Sequence, residues 1–513
     1  MFAAFGHLLH LVYVGFVLMR EGVFGLIPTT HIPAPVRPLF WMMGLFARRN
    51  AGNRGTRIVA ALTRLGPSYV KLGQFLATRP DLVGMGMAQD LGLLQDRMPA
   101  FAQDEAEKRI SDALGKPLST LYTKFGPAVA AASIAQVHRA EILEDGITRI
   151  VAVKVVRPGI ERIFHRDIKA QQFVARLIER FIPSTRRLKP LEVIQTLERT
   201  VRLEMDLRFE AAALSEMAEN TQNDPDFSVP QVDWERTARD CLTMEWIDGI
   251  KLGDNAALEA AGVDRVKLAR VAMQSFLRHA LRDGFFHADM HQGNLFASRE
   301  GKLVAVDLGI MGRLGRNERR FLAEILFGFI TRNYRRIAEV HFEAGYVPRT
   351  HSVESFAQAL RAIGEKIHGR SAAEISMAEL LGLLFEITGL FDMATRTELV
   401  LLQKTLVVVE GVSRTLDPTF NMWHVSEPVI RDWIERNLGP VGKFEEAGRD
   451  VGAMLHAIGQ VPDMVERGRA ALERLEMTGA PAPKASPFHL PLTIATWIIA
   501  VALVMLVLGY GSH

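Results

Sequence analysis

The chain has 513 residues and a formal net charge of only +3, without the basic stripe interleaved with aromatic residues that would indicate nucleic-acid binding. Its one cysteine, Cys241, excludes an intrachain disulfide and a cysteine-based zinc cluster, and it agrees with a reducing cytoplasm. Hydrophobic residues make up 48% of the chain, which is high for a soluble enzyme, and the two ends of the chain account for part of this share.

The N-terminus is an apolar stretch with no charged residue before Arg20. It has neither the basic start nor the small-residue cleavage site of a signal peptide. His7 and His10 interrupt its apolar character. We therefore predict that residues 1–30 form a hydrophobic helix that packs on a membrane surface or on the protein core, rather than a membrane span.

A short apolar run, 151–154, predicts a buried strand that ends in an inward-facing lysine. In kinase-type folds such a lysine binds the α- and β-phosphates of ATP, and Lys154 is the candidate for that role. Those folds carry a glycine-rich phosphate loop ahead of the strand. This chain has four small residues there instead, Ala130, Ala131, Ala132 and Ser133. Because a Cβ restricts positive φ and close backbone approach, we expect a stiffer loop that holds the nucleotide differently.

A buried lysine needs a carboxylate partner, and residues 203–220 offer three on a segment rich in helix-forming residues. If this segment is one helix, Asp206 and Glu210 share a face because they are four positions apart, whereas Glu204 points roughly 120° away. The 56 positions between Lys154 and Glu210 exceed the separation in ordinary kinases. The sequence therefore predicts an insertion between the strand and the helix.

The sequence HADMHQGNLF at 287–296, followed by VAVDLG, carries the strongest chemical signal. Asn294 follows Asp289 by five positions and Asp307 follows Asn294 by thirteen, which is the spacing between the catalytic loop and the metal loop of kinase-like folds. In that arrangement Asp289 orients or accepts the proton of the attacking oxygen. Asn294 and Asp307 bind the Mg²⁺ that bridges the phosphates. Residues 303–306 predict a buried strand that leads Asp307 into a turn.

The stretch after Gly309 moves into helical periodicity within about ten residues, which leaves no room for the long activation segment of a protein kinase. His287 and Asp289 flank an alanine, without the arginine that would pair with a phosphorylated activation loop. We therefore expect no protein-kinase activity. Small-molecule phosphotransferases share both features, so they remain the enzymatic alternative.

Residues 310–475 have helical patterns throughout, as expected of a large C-terminal lobe. A Pro/Ala-rich linker then leads to an apolar stretch of twenty residues, 490–509, which is long enough to cross a hydrocarbon layer of about 30 Å. Eleven of the twenty are Leu, Ile or Val, and basic residues precede the stretch but do not follow it. We predict one transmembrane helix in a bacterial inner membrane, with the catalytic body on the cytoplasmic side.

Six motifs together resemble those of the UbiB family, atypical kinase-like proteins required for ubiquinone biosynthesis. They are KLGQ, the alanine-rich AAAS loop, VAVK, an E-x-D pair, HADMHQGN and DLG, and the resemblance runs from about residue 40 to about residue 440. It implies ATP or ADP and Mg²⁺ as cofactors. It also implies membrane lipid, polyprenyl quinone precursors and enzymes of ubiquinone biosynthesis as partners.

Carried over by position, the resemblance places Lys71 and Gln74 of KLGQ on a helical extension that folds over the active site and blocks the place of a peptide substrate. Glu204 and Asp206 become the E-x-D pair, with Glu204 as the ion partner of Lys71.

The same comparison of motifs makes Glu210 the carboxylate that pairs with Lys154. It also assigns the segment MEWIDG to the hinge that meets the adenine, with Glu245 and Ile247 supplying backbone groups.

The sequence thus predicts an α+β, bilobal protein-kinase-like fold with a mainly helical C-lobe, an N-terminal helical extension and a C-terminal transmembrane helix. The expected segments are a hydrophobic helix (1–30), the extension with KLGQ (31–120), an N-lobe with inserted helices (121–250), a C-lobe with the catalytic and metal loops (251–478), a linker (479–489) and the membrane span (490–509). The expected function is that of a membrane-anchored ATPase that gives access to lipid quinone precursors. The alternatives are a nucleotide-binding pseudokinase scaffold and a small-molecule phosphotransferase.

Overall fold

The computed structural model describes residues 2–23, 54–77, 98–181, 189–368 and 397–439, with parts of 79–94 and 383–393. The linker and the membrane span expected at 479–509 lie outside these residues. Within the described ranges, no helix combines the length and the apolar character needed to cross a membrane.

Helices precede the first strand of the chain. They are α1 (Phe2–Arg20), α2 (Arg54–Leu65), α3 (Pro67–Ala77), α4 (Met85–Leu91), α5 (Gln103–Leu114) and α6 (Leu118–Leu121). The bundle of α2, α3 and α4 packs around Ile58 and Met87. KLGQ lies on α3, and its glycine, Gly73, is needed for this packing because a Cβ there would overlap the side chains of Leu62 and Leu94.

An antiparallel five-stranded sheet follows, in the order β1-β2-β3-β6-β5. Its strands are β1 (Lys124–Ala131), β2 (Ala135–Glu144), β3 (Ile147–Val156), β5 (Val232–Ala238) and β6 (Cys241–Glu245). A two-residue turn joins β2 to β3 at Asp145 and Gly146, whose φ angles of 52° and 78° suit the tight turn of a hairpin. The predicted strand around Lys154 is confirmed, since it lies in β3 between β2 and β6.

The predicted insertion between β3 and the Glu210 helix is also confirmed. It consists of α7 (Ile160–Phe181) and α8 (Pro190–Glu204), after which α9 (Leu207–Thr221) carries Glu210. The prediction that Asp206 and Glu210 share a helix face is wrong, because the chain leaves the helix at Met205. The Asp206 carboxylate accepts a hydrogen bond from the Arg208 amide and begins α9 as its N-cap.

The remaining strands form two small sheets. The first has the order β4-β10-β9-β7 and contains β4 (Phe227–Ser228), β7 (Gly249–Lys251), β9 (Leu295–Ser298) and β10 (Leu303–Ala305). The second pairs β8 (Phe285–His287) with β11 (Met311–Arg313). The helices that the structure describes in this half are α10 (Asn255–Ala260), α11 (Arg265–Arg278) with a π-helical turn (His279–Asp283), α12 (Arg316–Ile330), α13 (Tyr334–Glu343), α14 (Val353–His368), α15 (Thr397–Leu416) and α16 (Met422–Leu438). The α+β class and the mainly helical second half agree with the prediction.

The chain between the metal loop and the next helix is short. β10 ends at Ala305 rather than at the predicted Val306, although the Val306 amide still donates to the Asn294 carbonyl, in register with the pairing of β9 and β10. After Gly309 only the three-residue strand β11 intervenes before α12 begins at Arg316. The prediction that no long activation segment follows the metal loop is confirmed.

The N-terminal helix α1 packs on the rest of the protein, which is one of the two placements predicted for it. Leu11 is buried against Ala170 and Val174 of α7. A polar contact adds to this packing, since the ring Nε2 of His10 lies 3.0 Å from Oδ1 of the fully buried Asp167. The other face of α1 exposes large apolar side chains, including those of Val12, Tyr13 and Phe16.

Candidate active site

The candidate site is centred on Lys154, in the middle of the five-stranded sheet. Its ammonium donates to both carboxylate oxygens of Glu210, at 2.8 and 2.9 Å, and lies 3.2 Å from Oδ2 of Asp307. The strand β3, the helix α9 and the metal loop therefore meet at one cation. The ion pair with Glu210 that the family resemblance implied is present.

The carboxylates of Glu210 and Asp307 share the one ammonium of Lys154. This excess of negative charge affects the pKa values of all three groups. Burial raises the pKa of Glu210 to about 7, although the charge of Lys154 opposes the shift. For Asp307, burial acts in the same direction, but the Lys154 charge and the Gly309 amide outweigh it and hold the pKa below its ordinary value. The charges of Asp307 and Glu210 raise the pKa of Lys154 despite its burial, so the lysine stays protonated. Asp307 is consequently ionised at neutral pH, as its predicted role as a metal ligand requires.

The catalytic loop is held together by short-range hydrogen bonds. The amide of Asp289 donates to Nδ1 of His287 at 3.1 Å, and the side-chain amide of Asn294 donates to the Asp289 carbonyl at 3.2 Å. Burial lowers the pKa of His287 to about 4, against the opposing charge of Asp289, so the ring is neutral and can accept that amide. The Val306 amide donates to the Asn294 carbonyl. Because Val306 directly precedes Asp307, the two predicted metal ligands, Asn294 and Asp307, lie on neighbouring stretches of backbone.

The donor set suits Mg²⁺ that arrives together with phosphates. In the part of the chain that the structure describes, no group of three or more His, Cys, Asp and Glu residues could hold a metal by itself. Asp307 and Asn294 supply one carboxylate and one amide oxygen, and Mg²⁺ commonly takes few protein ligands and completes its shell with phosphate and water oxygens.

Lys71 forms the second predicted ion pair. Its Nζ lies 2.8 Å from Oε2 of Glu204, and both side chains are only 12–13% exposed. Leu72 and Phe75 of the same helix pack on the large core that runs through the kinase-like part. Gln74 lies on this helix as well and is partly buried. Thus α3 of the extension and α8 of the insertion are joined by a buried charge pair.

The alanine-rich loop is the turn between β1 and β2. Ala130 and Ala131 are the last residues of β1, and the Ala132 amide closes the turn by donating to the Ala135 carbonyl at 2.8 Å. Ser133 is fully buried within it. A guanidinium from outside the turn fixes it further, since Nη2 of Arg157 donates to the Ala132 carbonyl at 3.2 Å.

The predicted hinge residues lie at and just after the end of β6, an interior strand of the same sheet. Glu245 ends β6, and Ile247 comes two residues later, before β7. The Glu245 amide donates to the Gln231 carbonyl at 2.8 Å. An adenine contact at Glu245 is therefore restricted to its carbonyl oxygen.

Asp206 makes its side-chain hydrogen bonds with Arg208 rather than with Lys154, Glu210 or Asp307. Its carboxylate is occupied by the guanidinium of Arg208, at 2.7 and 2.9 Å, in addition to its capping bond. The side-chain contacts of Asp206 are therefore those of a helix cap.

Two residues at the site escaped the sequence reasoning, Lys404 and Thr405 of α15. Nζ of Lys404 lies 3.7 Å from Oδ1 of Asp289, and the Thr405 hydroxyl donates to the Ala288 carbonyl at 3.0 Å. The mainly apolar pattern of this helix is typical of core packing and does not indicate a site. The signal available was the polar triplet QKT, which interrupts that pattern.

The chain is similar to known proteins in sequence. The family model described as the ABC1 atypical kinase-like domain matches residues 93–341, and the model described as the UbiB helical domain matches residues 360–421. A protein of Aeromonas hydrophila named "Probable protein kinase UbiB" is 38% identical over 458 residues, which cover 88% of this chain and 83% of that protein. A protein of the same name from Marinobacter nauticus is 37% identical over 459 residues, which again cover 88% and 83% of the two chains.

A solved structure is also similar, that of a complex between Rv3197 of Mycobacterium tuberculosis and erythromycin. It is 22% identical, covers 70% of this chain and 94% of the other chain, and superposes with a TM-score of 0.45.

Proposed function

The chain belongs to the UbiB family of ABC1 kinase-like proteins, and on that premise we propose that it is a Mg²⁺-dependent ATPase that supports ubiquinone biosynthesis. The observation that carries the proposal is the position of Lys154, which contacts Glu210 and Asp307 in the arrangement needed to bind ATP phosphates. Asp289 and Asn294 lie on the adjoining catalytic loop, where the Asn294 side chain donates to the Asp289 carbonyl.

Each residue has a distinct part in the proposed reaction. Lys154 binds the α- and β-phosphates, and Asp307 and Asn294 hold Mg²⁺, which neutralises charge on the phosphate oxygens. Asp289 orients the attacking water and accepts its proton. Glu210 keeps the ammonium of Lys154 in place, as its two contacts of 2.8 and 2.9 Å support.

Water is the favoured acceptor over a peptide. The extension helix α3 is tied down by the buried Lys71–Glu204 pair, and only residues 310–315 separate the metal loop from α12. A peptide would have little surface to dock on. A protein with this arrangement is expected to hydrolyse ATP without phosphorylating protein substrates.

We further propose that the protein is anchored in a bacterial inner membrane through residues 490–509, with its body on the cytoplasmic side. Insertion of the leucine, isoleucine and valine residues of that stretch is favourable by about 3–7 kcal/mol. Deletion of residues 485–513 should release most of the protein from carbonate-washed membranes. A truncated protein that stays resistant to carbonate would assign the anchor to another segment.

The proposed function is tested by ATP turnover of the full-length protein with anionic liposomes, with neutral liposomes and without lipid, each with and without a 2-alkylphenol that mimics a quinone precursor. We expect turnover to rise when anionic liposomes and the phenol are both present. Nucleotide binding without turnover in every condition would favour the scaffold alternative instead. Stoichiometric phosphorylation of the phenol would favour a small-molecule phosphotransferase.

A further inference from the structure

The helix α15 approaches the catalytic loop closely and is fixed there. The fully buried Thr405 hydroxyl lies 3.0 Å from the Ala288 carbonyl and 2.8 Å from the Leu401 carbonyl of its own helix, and its one proton is shared between these two acceptors. Ala288 directly precedes Asp289, so this contact places α15 next to the catalytic carboxylate. The side chain of Lys404 starts from the adjacent position of the helix.

Lys404 brings a cation to the open side of Asp289. Its Nζ is 3.7 Å from Oδ1 of Asp289, and the two side chains are 31% and 28% exposed, so the pair lies at the mouth of the site. Lys154 is engaged elsewhere, with Glu210 and Asp307. The loop at 287–294, HADMHQGN, contains no lysine or arginine of its own.

This position meets an electrostatic requirement of the reaction. The transferred phosphoryl group is anionic and must come close to the Asp289 carboxylate, which orients the nucleophile. Two like charges repel in a site of low dielectric constant unless a cation stands between them. Donors aimed at the charge that develops in the transition state are among the largest contributions to catalysis.

We propose that Lys404, which the structure places beside Asp289, is a catalytic residue that binds the γ-phosphoryl group of ATP; this rests on the proposed ATPase function. In the step it assists, the water oxygen forms a bond to the γ-phosphorus while the bond from that phosphorus to the β–γ bridging oxygen breaks. ADP keeps the bonding electron pair. The water proton passes to Asp289 and then to solvent, and Lys404 stays protonated throughout.

The competing explanation is an ordinary ion pair at the surface, which contributes about 0–1 kcal/mol and has no role in the reaction. The two explanations differ in what they say about nucleotides. A lysine at the γ-phosphoryl group distinguishes ATP from ADP, whereas a surface ion pair affects both nucleotides alike or neither.

The test compares full-length Lys404→Met and Lys404→Arg with a matched control, Lys267→Met. Lys267 forms a similar pair, with its Nζ 3.5 Å from Asp226, and its side chain is half exposed. Steady-state kinetics give kcat and KM for MgATP. Thermal-shift titrations give the affinities for MgADP and for a non-hydrolysable ATP analogue.

We expect Lys404→Met to lower kcat by about 100-fold and to weaken the analogue by about tenfold, with MgADP affinity within about twofold of wild type. Lys404→Arg should restore part of kcat, and Lys267→Met should match wild type. An unchanged kcat, or an equal loss for MgADP and the analogue, would overturn the assignment. If the wild type itself does not turn over ATP, the ATPase proposal fails, but the ratio of analogue to MgADP affinity still decides whether Lys404 meets the γ-phosphoryl group.

Discussion

Among the described residues, two lysine–glutamate pairs have the same shortest N–O distance and lie in different regions of the molecule. Lys154 and Glu210 join a central strand to α9 inside the kinase-like part, whereas Lys71 and Glu204 join the extension to the inserted helix α8. Both pairs measure 2.8 Å, and both lysines are 12–13% exposed. Distance and burial therefore do not reveal what a buried ion pair does.

The difference lies in the surrounding charge. Lys154 has a second carboxylate within 3.2 Å, that of Asp307, so this group carries excess negative charge and can accept a divalent cation. The Lys71–Glu204 pair joins two helices at 2.8 Å, and its helix α3 adds apolar packing through Leu72. We therefore expect the first pair to take part in nucleotide binding and the second to hold the extension on the inserted helix.

The largest effect is expected from Asp307→Asn, which removes the charge that distinguishes the first pair from the second. A nucleotide at 100 times its Kd stabilises a protein by about 2.7 kcal/mol, and the mutant should lose this stabilisation with MgATP. Thermal-shift titration measures it. If MgATP stabilises the mutant as much as the wild type, Asp307 is not part of the nucleotide site and its charge does not distinguish the two pairs.

A matched pair of substitutions tests the comparison directly. Glu210→Gln should lower ATP turnover by about 10²–10³-fold, because Lys154 loses the carboxylate that positions it against the phosphates. Glu204→Gln removes a carboxylate from an equally short pair, yet turnover should change by less than about tenfold. Steady-state rates at saturating MgATP provide the measurement. Equal losses of turnover in the two mutants would contradict the different roles expected of the two pairs.

The pH dependence of the free energy of unfolding tests the environment of the catalytic loop next to the first pair. His287 and His341 are buried histidines whose pKa is lowered by burial to about 4. Between pH 4 and 6.5 the unfolded chain binds protons that the folded protein does not. Stability should therefore be fully present above pH 6.5 and fall toward pH 4, by up to about 3 kcal/mol for each histidine.

Urea unfolding at pH 7 and pH 4.5 measures this loss, and His341→Gln separates the two contributions. His341 lies on α13, away from the site, where its Nδ1 donates to the Ile337 carbonyl at 2.8 Å. The substitution should flatten part of the acid dependence and leave ATP turnover at pH 7 unchanged. An unaltered slope would show that His341 is not one of the titrating groups.

The smallest stability effect is expected for Lys71→Ala, at about 1–2 kcal/mol, because Glu204 then lacks its partner while Leu72 and Phe75 keep their apolar contacts. The double mutant with Glu204→Gln should recover part of that loss. With radiolabelled γ-phosphate, wild type should not label generic peptides or itself, whereas Lys71→Ala should alter nucleotide handling. Robust transfer of the γ-phosphate to protein by the wild type would indicate an ordinary protein kinase.

Local spacing predicted the catalytic loop well, because Asp289, Asn294 and Asp307 are set by short loops and strands whose geometry follows from neighbouring residues. The break between Glu204 and Glu210 was missed. Residues 203–220 favour helix by composition, but the capping bond of the Asp206 side chain ends one helix and begins another.

Contacts made at long range could not be predicted from pattern. Lys404 meets Asp289 across 115 positions of sequence, and only the packing of α15 on the catalytic loop brings them together. An apolar helix pattern identifies a buried face but not its neighbour. The same limit applies to α1, whose contact between His10 and Asp167 depends on where α7 lies.

The helix break at Met205 and Asp206 has a mechanical consequence. Glu204 is the last residue of α8 and Glu210 lies in the first turn of α9, so one stretch of seven residues supplies the partners of both lysines. Only Met205 and Asp206 separate the two helices, so a rotation of α9 that moves Glu210 away from Lys154 is expected to displace Glu204 at the end of α8 as well.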